Sequence, residues 1–152
     1  MELRTRITDA LKVAMKERAK ARLSTLRLIN AAIKDKDIEL RGTGEDATVG
    51  DPEVLVILGK MVKQRQESAK AYDEGGRLEM AEKERAEIVV IEEFLPKQLS
   101  EDEAAAAIKA AISSTKAESI RDMGKVMGVL KGKYIGQMDF GRVGPMVKDL
   151  LG

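Results

Sequence analysis

Phe94-Leu95-Pro96-Lys97-Gln98-Leu99-Ser100-Glu101-Asp102-Glu103 is the stretch on which the fold turns. Proline disfavours the helical region for the residue before it, so the apolar run that reaches Leu95 ends there. Shortly after it, Ser100 and Glu103 stand at the Ser-x-x-Glu spacing of a capping box, in which each side chain satisfies an orphan backbone donor of the first helical turn. One helix stops at Pro96 and another starts at Ser100. These ten residues divide the chain into an N-terminal lobe, 1–96, and a C-terminal lobe, 97–152.

Reading back from Pro96, Leu78, Ala81, Ile88, Ile91 and Leu95 keep helical spacing as far as Gly75-Gly76, the strongest break in this part of the chain. Before that break, Val54, Leu58, Met61, Arg65 and Tyr72 mark a longer helix. Asp51-Pro52 opens it, with Asp51 as the N-cap and proline at the first helical position, where its missing N–H does no harm. Leu23, Leu26, Ile29, Ile33 and Leu40 form another stripe, ended by Gly42-Thr43-Gly44. Leu3, Ile7, Leu11 and Met15 form the first, over about Leu3 to Lys20. The larger lobe thus holds about four helices in two hairpins.

Reading forward from Ser100, the apolar face is Ala104, Ile108, Ala111 and Ile112. A Ser/Thr-rich break follows, then Ile120, Met123, Met127, Leu130 and Tyr134, and last a short helix capped by Asp139 that bears Val143, Met146, Val147 and Leu150. The fold class is all-α, with a three-helix C-terminal lobe. A lobe of this size is marginal on its own, and is expected to pack on the first lobe or on a partner at least transiently.

Composition agrees with helices and narrows the chemistry. Aromatic residues make up 3% and there is no Trp, so Leu, Ile, Val, Met and Ala build the core. No Cys is present, which excludes disulfides, thiolate nucleophiles and cysteine-ligated metals. The absence of His excludes histidine-dependent triads and zinc-hydrolase sites. Lys, Glu, Asp, Ser and Tyr leave the enzyme question open, yet no catalytic residue, cofactor motif or metal cluster stands out. Neither a signal-peptide stretch at the N-terminus nor an apolar run of membrane-span length is visible, so a cytoplasmic protein with no membrane partner is expected.

The formal net charge of +1 hides an uneven layout. Residues 1–41 carry 11 basic and 6 acidic side chains, residues 42–96 carry 7 and 13, and residues 97–152 carry 9 and 7. A basic first hairpin and an acidic second hairpin are expected to complement each other as packed neighbours.

Three clusters invite a functional reading. Glu79, Glu82, Glu84, Glu87, Glu92 and Glu93 suggest a cation site, but a carboxylate cage draws on facing helices, and in di-iron bundles on histidine. A solvated face is the expectation, with Lys83 and Arg85 in surface pairs, Lys83 four residues before Glu87. Lys60 and Lys63 sit together on the third helix and form a possible secondary basic patch. An intramolecular partner or a phosphate would satisfy them, and Arg65, in register with the apolar stripe, is expected to be partly buried against a carboxylate.

The third cluster runs from Arg121 to Lys148, with 6 basic and 2 acidic residues. Gly124, Gly128 and Gly132 recur every four residues inside it, each costing about 1 kcal/mol against alanine in a helix interior. Such a stripe needs a reason, and two stand. It packs tightly on a neighbouring helix, or it offers a bare backbone surface, flanked by Arg121, Lys125, Lys131 and Lys133, to an RNA phosphate backbone. Met123 and Met127 fill the core or serve as adaptable contacts. Gly-Lys-Val lacks the glycine spacing and the following Ser or Thr of a nucleotide loop.

The same residues carry a resemblance. Phe94 to Ser100, Asp122-Met123-Gly124-Lys125-Val126-Met127-Gly128 and Gly136-Gln137-Met138-Asp139 resemble the GatB/YqeY family, which includes the tail domain of transfer-RNA-dependent amidotransferases. Upstream, Ser24-Thr25-Leu26-Arg27, Lys63-Gln64-Arg65 and Gly76-Arg77 beside Glu84 and Glu87 are similar to stand-alone YqeY proteins. The resemblance covers essentially the whole chain. It implies the two-lobed helical fold and a context in which the tail helps recognise the body of a mischarged transfer RNA. The family label of carbon–nitrogen ligase with glutamine as amido donor then belongs to the complex, since this chain shows no amidase Ser-Ser-Lys arrangement or nucleotide loop. Gln137 stands where the family pattern usually has a basic residue, and Gly144-Pro145 where it tends to have a polar one. The expected function is a non-catalytic transfer-RNA or RNA-binding module; the alternative is a domain that docks a helix of a translation-related protein.

Overall fold

The computed structural model describes residues 2–43 and 49–152. Gly44, the last residue of the expected Gly42-Thr43-Gly44 loop, lies outside the described residues, as does Met1. The chain is all-helical: α1 (Leu3–Glu17), α2 (Lys20–Gly42), α3 (Asp51–Glu74), α4 (Leu78–Glu92), α5 (Glu101–Thr115), α6 (Met123–Lys133) and α7 (Phe140–Leu151), with a 3-10 turn, Ile120–Asp122, before α6. There is no strand among the described residues. Contacts divide the chain into two compact units, Met1–Leu95 and Pro96–Gly152.

In the first unit, α1 stops because Arg18 takes the left-handed region at φ 56°, which lets the Ala19 N–H reach back to the Ala14 carbonyl at 3.0 Å. The chain reverses and α2 begins at once. A similar closure ends α3, where Gly76 at φ 74° allows the Arg77 N–H to reach the Tyr72 carbonyl at 2.8 Å. Ile7, Leu26, Ile29, Ile33, Val54, Leu58 and Ile91 are fully buried between the four helices. Each such side chain contributes about 1.5–3 kcal/mol by leaving water.

The second unit starts as its sequence dictates. Ser100 Oγ accepts the Glu103 N–H at 3.1 Å and the Glu103 carboxylate accepts the Ser100 N–H at 3.2 Å, so both halves of the capping box are made. The Ser100 backbone N–H, and after it the Ser100 hydroxyl, hold the Glu103 carboxyl below its ordinary pKa. Asp139 caps α7 by accepting the Gly141 N–H at 3.0 Å. Ile108, Val126, Leu130, Val143 and Val147 form the core, with Met123 and Met127 packed against it as filling residues.

Several expectations need correction. Gly50, not Asp51, is the N-cap of α3, and the Glu53 carboxylate accepts the Gly50 N–H at 3.1 Å. Asp51 serves another helix: its Oδ1 accepts the Leu3 N–H at 3.0 Å, satisfying a first-turn donor of α1. Met15 is exposed, because each four-residue step drifts about 40° round the helix, so that by Met15 the stripe has left the buried face shared by Leu3, Ile7 and Ala14. Leu78, Ile120 and Leu150 are also exposed, each within the first or last turn of its element or in the 3-10 turn, where the buried face has not begun or has run out.

Candidate functional site

Two of the six glutamates of the acidic stretch, Glu87 and Glu93, are drawn into structural pairs, while Glu79, Glu82 and Glu92 stay on an exposed face. Arg65 Nε donates to Glu87 Oε2 at 2.9 Å, and the other end of its guanidinium donates to the Met61 carbonyl at 3.1 Å. Both side chains are mostly buried, 14% and 19% exposed, so Arg65 lies as its register implied. Glu87 is thereby taken off the solvated face and out of reach of a Lys83 pair. Arg85 pairs with Asp73 across the α3–α4 turn, and Glu93 pairs with Arg22. Among the described residues, no group of carboxylates is placed to hold a metal ion. Lys60 and Lys63 are exposed on α3, and Lys63 is engaged rather than open.

The glycine stripe is different. A methyl group built on Gly124, Gly128 or Gly132 would meet no atom within 4 Å, and all three residues are exposed. Packing among the described residues does not account for them. Val126 and Leu130 point α6 into the core, which turns the stripe outward on the opposite side. At about 100° per residue, Lys125 and Lys131 fall on the two flanks of the stripe, about 9 Å apart along the axis. Arg121 is exposed just ahead of it in the 3-10 turn. Lys133 lies farther round the helix, with its ammonium 5.6 Å above the Tyr134 ring.

Acidic residues near this surface serve the backbone. Asp122 Oδ2 accepts the Glu118 N–H at 3.0 Å, and that bond, more than the nearby Lys125, holds its carboxyl below the ordinary value. Lys125 Nζ stands 4.0 Å from the other oxygen and is 73% exposed, so its charge faces solvent. Arg142, 85% exposed, lies 3.8 Å from Asp139.

A polar clasp sits at the C-terminal end of α6, and sequence reading missed it. The Leu99 N–H donates to the Gln137 carbonyl at 3.0 Å, Gln137 Nε2 donates to the Lys97 carbonyl at 3.2 Å, and Gln98 Nε2 donates to the Gly136 carbonyl. Gly136 takes φ 79°, which presents its carbonyl in this turn. Gln137, at the position expected to be basic, is thus a strut of the loop. Its partners lie about forty residues away in sequence, so no local pattern announces them.

No helix among the described residues is long and apolar enough to cross a membrane. What these elements make is an all-helical protein of two compact units, one of them bearing an open glycine stripe edged by lysines. The family described as Yqey-like protein matches residues 4–151, and the chain belongs to the YqeY family. It is also 31% identical over 87 residues to an uncharacterised protein of Schizosaccharomyces pombe, spanning 57% of this chain and 67% of that protein.

Proposed function

We propose that the outward face of α6 holds the phosphate backbone of a structured RNA, with transfer RNA the candidate that the GatB-tail resemblance suggests. The observation that carries this reading is the open stripe of Gly124, Gly128 and Gly132. Its cost in helix stability has no return in packing among the described residues, whereas a surface without side chains lets a sugar–phosphate strand approach the helix closely. Lys125 and Lys131 on the flanks, with Arg121 and Lys133, supply the charge. No stacking platform competes with this mode: Phe94 is buried, Tyr134 and Phe140 pack on the core of the second unit, and Tyr72 stands alone on α3 in the other unit, so recognition is by shape and phosphate rather than by base. In this reading residues 97–152 do the holding, residues 1–96 form a separate helical lobe, and the module works in the cytoplasm beside an amidotransferase that supplies the chemistry.

Binding of the full chain to transfer RNA across a salt series tests it. Affinity is expected at low salt, and Lys125→Glu with Lys131→Glu is expected to remove most of it. The salt slope should flatten by about 0.7–0.9 for each phosphate that is no longer neutralised. Undetectable binding at low salt, or binding unmoved by the double substitution, refutes the reading. The open stripe also favours a second reading, a docking face for a helix of a translation protein, since small residues admit a close backbone approach. A protein partner retained on ribonuclease treatment, and released when Gly128 is replaced by a large residue, would select it.

A further inference from the structure

The charge asymmetry of the first unit is not consumed inside it. Residues 12–27 carry six basic side chains and one acidic, and residues 78–93 carry six acidic and two basic. Complementary packing would pair these stretches, yet among the described residues Arg22–Glu93 alone joins them. Arg4–Asp37 and Lys36–Glu39 stay within the first helical pair, and Arg65–Glu87 and Arg85–Asp73 stay within the second. Lys20 and Arg27 on α2, and Glu79 and Glu82 on α4, are exposed and have no ion-pair partner among the described residues.

These leftovers sit on matched faces. Lys20, Ser24, Arg27 and Ala31 follow each other at helical spacing along the outward side of α2, opposite buried Leu26, Ile29 and Ile33. Glu79, Glu82, Ala86 and Val89 do the same on α4, opposite buried Ala81, Ile88 and Ile91. Ser24 and Ala31 on the first face and Ala86 on the second are small and set between the charges, which allows two helices to approach. Each also has large apolar side chains left in water beside it: Leu28 near the first, and Leu78 and Val89, 62% and 66% exposed, on or beside the second.

We infer that the basic face of α2 is an interface for the acidic face of α4 on a second copy of this chain. In a two-fold dimer of a chain that carries both members of a complementary pair, the contact forms twice and closes. Exposed ion pairs are individually weak and screened by salt, so the dimer is weak and salt-sensitive, with Leu28, Leu78 and Val89 supplying the apolar part. This inference is independent of the α6 reading, which uses other residues on the other unit.

Sedimentation velocity of the full chain is the test. At about 20 mM salt the 16.7 kDa monomer is expected to move toward twice that mass as concentration rises, and about 500 mM salt is expected to weaken association at least about tenfold. Lys20→Glu with Arg27→Glu, and separately Glu79→Lys with Glu82→Lys, should each remain monomeric, while an equal mixture of the two variants restores a dimer. If a charge reversal costs helicity by circular dichroism, the glutamine replacements at the same four positions take its place, with each pair expected to weaken self-association. A wild type that stays monomeric at low salt overturns the inference. So does a mixture that fails to associate, or a ladder of species beyond the dimer. Transfer-RNA binding that depends on Lys20 and Arg27 in a monomeric wild type would assign these cations to phosphate and also overturn it.

Discussion

Replacing the α6 glycines with alanine separates stability from binding, because the two respond with opposite sign. Gly128 is at the centre of α6, and a methyl group there meets no atom within 4 Å. No clash opposes the gain in helix propensity, so Gly128→Ala should stabilise the chain by about 0.5–1 kcal/mol. Gly124 and Gly132 lie in the first and last turns and add less. For a cooperative transition of the whole chain, 1 kcal/mol raises Tm by about 2–4 °C, and about twice that if the smaller unit melts by itself. Thermal and urea unfolding followed by circular dichroism read the change. Under the RNA reading the same variants lose affinity, since three methyl groups now stand between helix and phosphate. A fall in Tm or in the urea midpoint would mean that the stripe is covered in solution, and would overturn both expectations. A rise in stability with RNA affinity unchanged would leave the stripe open but remove its role in binding.

Arg65→Ala strips Glu87 of its partner in a mostly buried site and should cost about 1–3 kcal/mol in urea unfolding, with a double-mutant cycle through Glu87→Gln giving a coupling above that of a surface pair. Ser100→Ala removes the N-cap of α5 and should cost about 1 kcal/mol. Lys116 ends α5 in the left-handed region at φ 55°, so Lys116→Gly should raise stability by about 0.5–1 kcal/mol, again by urea unfolding. Asp37, whose carboxyl is held below its ordinary pKa first by the Arg4 guanidinium and further by the Val49 N–H, contributes stability that is complete above the unfolded-state pKa. That contribution is lost as pH falls below about 4 and through the lower folded value, and Asp37→Asn should flatten the acid limb of a stability–pH curve in that window.

Helices were legible wherever a local device set them. Ser100 with Glu103, Asp139 before α7 and Gly75-Gly76 after α3 are each decided within a few residues, and each does what its spacing dictated. Asp51 departs from the N-cap role its position suggests because a carboxylate at a helix start is free to turn to any donor in reach, and the Leu3 N–H, 48 residues away, is the one in reach. Arg65 is legible in the sequence because its register with Val54, Leu58 and Met61 leaves one way for its stem to point. The glycine stripe was found by its period, but periodicity is the same for a packed face and an open one. Only the side-chain directions of Val126 and Leu130 separate the two. The charge halves were likewise visible as counts, while which cation meets which carboxylate depended on helix rotations that counts do not contain.

The clasp between Leu99 and Gln137 bears on where the chain can be cut. Three hydrogen bonds tie Lys97, Gln98 and Leu99 to the turn between α6 and α7, so these residues travel with the helices that follow them. Limited trypsin digestion should therefore spare Lys97, despite its exposed side chain. A fragment begun at Ser100 would keep every helix of the smaller unit and its capping box. It would still leave the Gly136 carbonyl and the Gln137 amide without their partners, loosening the turn that sets the angle between α6 and α7. The shortest faithful version of that unit begins at Pro96, three residues ahead of the first backbone donor the turn depends on.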